Sequence, residues 1–314
     1  MVMDNTASLA IFWENWEFFR EAALAGVFAG VMLGVVGVYI VFKRLVFLSA
    51  ALSQVSSAGI ALGVWLLILV QGAAPLHDDV HMHEGAVDAG HTSFWWDFIF
   101  NPVIDAAILS LLAIAVIGYG QRRSGRDMSA FVALLYIAGA SLTLILGTRI
   151  VTEIQDIQQL LLGNAVLVSP EDFRLMLIVS VATVLLHMVF RHGFEASTLD
   201  ADSARVGGIR VDAMQFVLML SIAISIAVAT KILGALPVFS FSVLPAMAAR
   251  RMSFNVASML VFSALIGGIS AFVGYVVAYL YAFPVGPSQA FVCLIWVMLV
   301  YVFHFLKIIR LRKV

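Results

Sequence analysis

Long apolar stretches dominate the chain, and short polar or Gly- and Pro-containing breaks separate them. A helix of roughly 20 apolar residues crosses a membrane hydrocarbon core about 30 Å thick. We therefore predict an all-α fold, a polytopic bundle of eight or nine transmembrane helices. The predicted spans are residues 21–42, 52–71, 103–119, 129–148, 173–190, 213–231, 235–249, 256–280 and 290–306.

The span at 235–249 differs from the others because it is short and contains Pro237 and Pro245. Proline has no backbone N–H and disrupts the interior of a helix. Irregular backbone is tolerated at membrane depth only where protein buries it or where it lines a cavity. We therefore expect this helix to be short or broken.

Glycines mark one face of the first span. Gly26, Gly30, Gly34 and Gly37 follow one another at spacings of four, four and three residues. Lipid provides no hydrophobic drive between helices, so small residues that let two backbones approach are typical of helix contacts. This stripe predicts a close-packed helix contact and no chemistry.

The composition agrees with a membrane protein. Hydrophobic residues make up 62% of the chain and charged residues 12%, whereas soluble proteins carry about 25% charged residues. A net charge of -1 gives no reason to expect a nucleic-acid partner. The single cysteine excludes an intramolecular disulfide framework and a Cys-based zinc site. We predict one transmembrane domain over residues 1–314, surrounded by membrane lipid.

Lysine and arginine lie on alternate connections between the predicted spans, and this sets the expected orientation. The basic groups fall within 43–44, 122–126, 191–210, 250–251 and 307–313. Short loops rich in Lys and Arg stay in the cytoplasm. We therefore predict the N-terminus outside, the C-terminus inside, and an extracytoplasmic loop at 72–102.

The loop 72–102 concentrates potential metal ligands. Four of the seven histidines lie within fifteen residues of this loop, together with four carboxylates. Imidazole and carboxylate groups suit zinc and other divalent transition metals. The candidate metal ligands are His77, Asp78, Asp79, His81, His83, Glu84 and His91. Their irregular spacing favours a shallow, exchangeable capture site over a closed structural one, and the alternative is a solvated acidic loop with incidental histidines.

The connection 191–212 is polar, basic and predicted to be cytoplasmic. Residues 200–206 are predicted to form a short helix with Asp200 or Ser197 as its N-cap. Such a helix on the cytoplasmic face is suited to docking a soluble partner. By pattern alone, an ordinary solvated loop is an equal alternative.

Five ordered segments together give the chain a specific resemblance. They read KRLVFLSAALSQVSSAGIALG, LLLGNAVLVSPEDF, FEASTLDADSARVGGI, KILGALPVFSFSVLPAMAARR and FPVGPS. In these segments the chain resembles the permease (transmembrane) subunit of the zinc/manganese-type ABC metal importers. The resemblance implies a homodimer of permeases in the cytoplasmic (inner) membrane, cytoplasmic ATPase subunits that use the ATP, and an extracytoplasmic metal-binding protein. It further implies that the chain itself is a transport subunit and not an enzyme, with a transported divalent metal and no permanently bound cofactor.

The same resemblance assigns roles to residues of the 191–212 connection. Residues 194–209 resemble the segment that couples the permease to the ATPase. The matching positions are Glu195, Asp200, Ala204, Arg205 and Gly208.

One departure from the family pattern concerns the transported ion. The family commonly has an Asp and, four residues later, a His on the second helix, whereas this chain has Ala50 and Gln54. A neutral amide oxygen binds a dehydrated divalent ion less strongly than carboxylate or imidazole. Zinc is favoured because of the histidine-rich loop, and manganese or iron are alternatives. The candidate translocation-pathway residues are Ser53, Gln54, Ser57, Ser240 and Met247, for which interhelical hydrogen bonding is the simpler interpretation.

Three other functions are alternatives to the importer. A membrane-embedded metal-dependent enzyme would use the histidine-rich loop as its active site, but the chain contains no HExxH pattern. A non-transporting scaffold, or a permease of the same family with a different substrate, are further alternatives. His187 and His304 are interpreted as satisfied histidines near helix ends, not as ligands.

Overall fold

The computed structural model describes residues 9–71, 102–124, 128–150 and 168–311. The secondary structure in these ranges is helical. The α-helices are α1 (Leu9–Glu14), α2 (Trp16–Phe42), α3 (Val46–Gln71), α4 (Pro102–Ser124), α5 (Met128–Ile150), α6 (Pro170–Val189), α7 (Arg191–Leu199), α8 (Ala201–Val206), α9 (Val211–Leu233), α10 (Ala235–Met252), α11 (Val256–Tyr281) and α12 (Val285–Leu311).

Within the described ranges, seven helices are long and apolar enough to cross a membrane, namely α2, α3, α5, α6, α9, α11 and α12. Helix α4 contains a shorter apolar stretch, Val103–Ile117, and α10 is 18 residues long. The predicted all-α, polytopic membrane bundle is confirmed. The orientation of the termini stays a prediction.

Helices α2, α3 and α12 begin at least five residues earlier than the hydrophobic pattern predicts, and α12 does so at Val285 instead of residue 290. Helix α2 begins at Trp16 instead of residue 21, and α3 begins at Val46 instead of residue 52. The turn between α2 and α3 is tight, with the backbone N–H of Leu45 donating to the carbonyl of Ile40 at 2.9 Å. Helix ends at a membrane boundary carry polar residues, so a search for apolar runs places these ends inside the true helix.

Helix α10 is short and continuous, which decides between the two alternatives. It runs from Ala235 to Met252 without a break. Pro237 lies in its first turn, where the backbone N–H has no intrahelical partner to lose. Pro245 lies inside the helix and is buried against neighbouring helices. Gly234, at φ 84°, joins α9 directly to α10 in a conformation that glycine adopts without strain.

Helices α2, α3 and α9 form the centre of the bundle. Their most apolar windows are 78%, 72% and 67% buried, against 22% for α6 and α12. The outer helices expose large apolar side chains, among them Leu134, Ile145 and Phe303. Large apolar surface of this kind is typical of helices that face lipid.

Helices α2 and α11 are in backbone contact at Gly30 and Gly34, two of the four glycines of the predicted stripe. A Cβ at Gly30 would lie 2.5 Å from the carbonyl oxygen of Gly267, and one at Gly34 would lie 2.6 Å from that of Ser263. The Ser263 hydroxyl donates to the Gly34 carbonyl at 2.6 Å. Because the residue numbers run in opposite directions, the two helices are antiparallel. We call this contact the α2–α11 seam, and it confirms the predicted close packing.

Aromatic rings fix α1 to the N-terminal end of α2. Phe12 is fully buried, with ring centroids 5.1 Å from Tyr279, 5.8 Å from Trp16 and 6.1 Å from Phe19. This Phe12 cluster lies at the opposite end of α2 from Tyr39.

Candidate functional site

The connection between α6 and α9 folds into the short helices α7 and α8, and we call residues 191–210 the two-helix connection. Asp200 caps the start of α8, accepting hydrogen bonds from the Ser203 hydroxyl at 2.5 Å and the Ser203 backbone N–H at 3.0 Å. These bonds lower the pKa of the Asp200 carboxyl. The capped form therefore persists into acidic solution and is lost only when the pH falls through the lowered pKa. Of the two predicted caps, Asp200 is the correct one.

The turn after α8 depends on two small residues. Ala204 is the buried residue of α8, and its carbonyl accepts a hydrogen bond from the backbone N–H of Ile209 at 3.0 Å. Gly208 has φ 82°, in the left-handed region that favours glycine. Ala204 and Gly208, two of the five positions that match the family's coupling segment, therefore shape this turn.

The outer face of α8 is exposed and polar. Arg205 pairs with Asp202 at 3.2 Å and with Asp212 at 3.5 Å, and the three side chains are at least half exposed. Exposed ion pairs add little stability, so a partner can exchange these contacts for its own. Val206 beside them is 91% exposed.

The inner face of α7 is attached to the bundle. The Gln215 side-chain amide of α9 donates to the Ser197 carbonyl at 3.2 Å. Gly193 lies against Met214 so closely that a Cβ there would be 2.8 Å from its sulfur. Glu195 is only partly exposed, and its Oε1 lies 3.3 Å from Nε of Arg191.

Three rings meet where α7 contacts α2 and α6. Ring centroids are 5.2 Å apart for Tyr39 and His187, 5.2 Å for His187 and Phe194, and 5.8 Å for Tyr39 and Phe194. All three side chains are 0% exposed. His187 Nδ1 donates to the Thr183 carbonyl at 2.8 Å, whereas among the described residues His187 Nε2 and the Tyr39 hydroxyl have no hydrogen-bond partner.

The interpretation of His187 as a satisfied histidine is wrong in part, because one of its ring nitrogens is buried with no hydrogen-bond partner among the described residues. The seven-residue spacing from His187 to Phe194 is visible in the sequence. The contribution of Tyr39, 148 positions away from His187, is visible only in the fold. We call Tyr39, His187 and Phe194 the three-ring contact.

The five candidate pathway residues differ in their burial and in their hydrogen-bond partners. Ser53 and Ser240 donate to carbonyls of their own helices at 2.9 Å. Met247 is partly buried and packs with a small apolar cluster. Gln54 Oε1 and Ser57 Oγ are buried, and no group in the described ranges forms a hydrogen bond with either.

Gln54 was expected at the start of the second helix, but α3 begins at Val46 and places it more than two turns inside. Ala50 is 7% exposed. Within the described part of α3, Gln54 and Ser57 are therefore buried side chains whose oxygens have no hydrogen-bond partner.

A carboxylate that is not among the candidate residues predicted from the sequence lies between α3 and α4. Asp105 is in the first turn of α4, and its side chain occupies the space left by the missing side chain of Gly63. Its Oδ2 is buried and has no hydrogen-bond partner within the described part of the chain. The sequence indicates this residue only as an aspartate near the start of an apolar helix. Its contact with Gly63 is visible only in the fold.

The predicted metal ligands lie in 77–91, outside the described residues. The capture site at this loop therefore stays a prediction. The described residues contain no group of three or more His, Cys, Asp and Glu side chains that could hold a metal ion.

Known proteins resemble this chain over most of its length. The high-affinity zinc uptake system membrane protein ZnuB of Haemophilus influenzae is 24% identical over 277 residues, which cover 87% of this chain and 92% of ZnuB. The manganese transport system membrane protein MntC of Listeria monocytogenes is 20% identical over 289 residues, which cover 92% of this chain and 91% of MntC.

The solved structure of PsaBC from Streptococcus pneumoniae in complex with Fab has the same fold. It matches with a TM-score of 0.75 at 19% sequence identity, over 94% of this chain and 95% of that one. Residues 15–76 and 92–306 match the ABC 3 transport family. The resemblance found in the sequence is thereby confirmed, and the chain is a multi-pass protein of the cytoplasmic membrane that belongs to the ABC 3 transport family.

Proposed function

We propose that this chain is the membrane-spanning subunit of an ATP-driven importer for a divalent metal ion, with zinc favoured and manganese or iron as alternatives. The observation that carries the proposal is the two-helix connection of a transport-family bundle. Its inner face is attached to α2, α6 and α9, and its outer face presents exposed Arg205 and Val206. The relatives ZnuB and MntC are named for zinc and manganese transport, which supports a metal as the substrate.

The proposed assembly contains two copies of this chain, two cytoplasmic ATPase subunits and an extracytoplasmic metal-binding protein. Each ATPase docks on the two-helix connection, where α8 offers weak, exchangeable ion pairs. ATP is bound and hydrolysed by the partner, so this chain needs no catalytic residues of its own. The predicted orientation supports this arrangement, because the basic connections lie on the ATPase side.

The proposed mechanism is alternating access. ATP binding moves the docked ATPases and, with them, the two-helix connection, and the spanning helices then open to the other side. The ion passes the unpartnered oxygens of Gln54 and Ser57. Neutral oxygens hold a divalent ion weakly, which favours rapid passage over storage. The histidine-rich loop 72–102 would raise the local zinc concentration at the entrance.

The direct test is reconstitution of the full chain with its co-purifying ATPase in lipid vesicles. ATP-dependent uptake of radioactive zinc, manganese and iron is measured at limiting concentrations, with the metal-binding protein present. We expect zinc to be transported fastest. Absence of ATP-dependent uptake for all three ions would contradict the import function, and faster manganese or iron uptake would contradict the zinc preference alone.

A matched pair of variants tests the docking site in the same assay. Arg205→Ala removes a cation from the exposed face of α8, and we expect lower uptake with the fold intact. Arg174→Ala removes an exposed cation from the predicted opposite side and is expected to leave uptake unchanged. Equal uptake by the two variants would contradict docking at this face.

A further inference from the structure

The connection between α7 and the spanning helices passes through one tightly packed aromatic group. Phe194 is the fully buried side chain of α7, and it contacts Tyr39 of α2 and His187 of α6. Within the described residues, Phe194 is the side chain of α7 that makes ring contacts with both helices. Protein interiors are close-packed and transmit displacement, so movement of Phe194 must displace Tyr39, His187 or both.

Helix α2 extends this contact deep into the bundle. Tyr39 lies near its C-terminal end, and the α2–α11 seam begins less than two turns away at Gly34. At Gly30 and Gly34 the facing atoms belong to the backbone of α11, which absorbs a shift less readily than the end of a flexible side chain would. A displacement received at Tyr39 therefore reaches α11 as well as α2.

The polar atoms of the three-ring contact indicate that it is not optimised for stability alone. His187 Nε2 and the Tyr39 hydroxyl are buried without hydrogen-bond partners in the described ranges, and a buried unsatisfied polar group is costly. Purely apolar rings of similar size would avoid that cost. The neighbouring Arg191 Nε and Glu195 Oε1 form an ion pair at 3.3 Å, to which no described group adds an aligned hydrogen bond. Unsatisfied groups gathered at one contact are expected where side chains exchange between two arrangements.

We propose that Tyr39, His187 and Phe194 act as positioning residues that transmit movement of the two-helix connection to α2 and α6. This inference rests on the proposed function, because it assumes that an ATPase moves α7. The three residues do not touch the ATPase or the ion. They determine how much of the movement at α7 becomes movement of the spanning helices.

The test measures metal ions transported per ATP hydrolysed in the reconstituted complex of the full chain with its ATPase, using zinc and manganese as probes. Phe194→Ala should lower this ratio by about fivefold while ATP hydrolysis continues. Phe194→Met refills the volume and should restore most of the ratio. Phe12→Ala, which empties an equally buried ring position in the Phe12 cluster at the other end of α2, should leave the ratio unchanged.

A double variant separates one shared contact from two independent effects. If the rings act together, His187→Ala combined with Phe194→Ala should lower the ratio no further than either change alone. An unchanged ratio in Phe194→Ala, or an equal loss in Phe12→Ala, would overturn the inference. So would multiplicative losses in the double variant.

A second measurement separates this inference from the import function itself. Spin labels are attached at Leu199→Cys on α7 and at Arg44→Cys just after the end of α2, two exposed positions. The position of each label relative to the bundle is followed when ATP is added. Both labels should move in the otherwise unchanged chain, whereas in Phe194→Ala only the label on α7 should move. This outcome supports the proposed role of the three-ring contact even if no tested metal is imported. Movement of both labels in Phe194→Ala overturns that role.

Discussion

Single residues decide the shape of the two-helix connection, and some were recognisable in advance. Asp200 was predicted as a cap because capping depends on residues next to it in the chain. The missing partner of His187 Nε2 and the close approach of Asp105 to Gly63 were not predictable, because each depends on residues that are distant in sequence. Local hydrogen bonding is encoded locally, whereas burial is decided by the whole bundle.

Gly208 offers a residue-scale prediction. Its φ of 82° is unfavourable for residues with a Cβ, so Gly208→Ala should destabilise the turn after α8 by about 1–2 kcal/mol. The space around this Cβ is open, so strain in the backbone is the only expected cost. Hydrogen exchange of the amides at 203–210 should become roughly 5- to 30-fold faster.

Gly207→Ala is the matched control for this change. Gly207 has φ -73°, and its added Cβ would meet only ordinary contacts at 3.5 Å. We expect exchange in Gly207→Ala to stay close to that of the unchanged chain. Equal acceleration in both variants would contradict the backbone explanation.

At the scale of helices, the sequence predicts interiors better than ends. Within the described ranges the apolar runs located every spanning helix, but the starts of α2, α3 and α12 were placed five, six and five residues too late. Prolines alone could not tell a broken helix from a continuous one in α10. The decisive facts were the position of Pro237 in the first turn and the burial of Pro245 by neighbouring helices.

The α2–α11 seam gives an element-scale prediction. Gly30→Ala places a methyl group 2.5 Å from the Gly267 carbonyl oxygen, so the helices must separate. We expect a loss of stability of about 1–3 kcal/mol, measured as a lower midpoint of thermal unfolding in detergent. Ala182→Val adds volume on the exposed side of α6 and should leave the midpoint nearly unchanged. Similar midpoints for both variants would show that the seam tolerates side chains.

For the whole molecule, the sequence was sufficient to predict the fold class and the family. Both rest on features repeated along the entire chain, namely apolar spans and ordered family segments, so local errors do not alter them. The ion is harder to assign, because selectivity depends on a few ligands and the usual positions hold Ala50 and Gln54. The predicted orientation rests on charge placement and can be tested directly.

A labelling experiment tests the orientation. The single cysteine, Cys293, is buried, so background reaction with a membrane-impermeant maleimide should be slow. We expect His81→Cys to react in intact cells, and Val206→Cys, at a 91% exposed position, to react only in inside-out vesicles. Reaction of both from the same side would rule out the proposed import mechanism.

The glycine contact between α2 and α11 also bears on how the protein fits its bilayer. A helix whose apolar length differs from the membrane thickness usually adjusts by tilting. Since the two backbones touch at Gly30 and Gly34, neither helix can tilt there without displacing the other. A change in lipid thickness would therefore have to move α2 and α11 together, along with α10 and α12, whose backbones at Ser242 and Gln289 meet Gly37 and Gly274 just as closely.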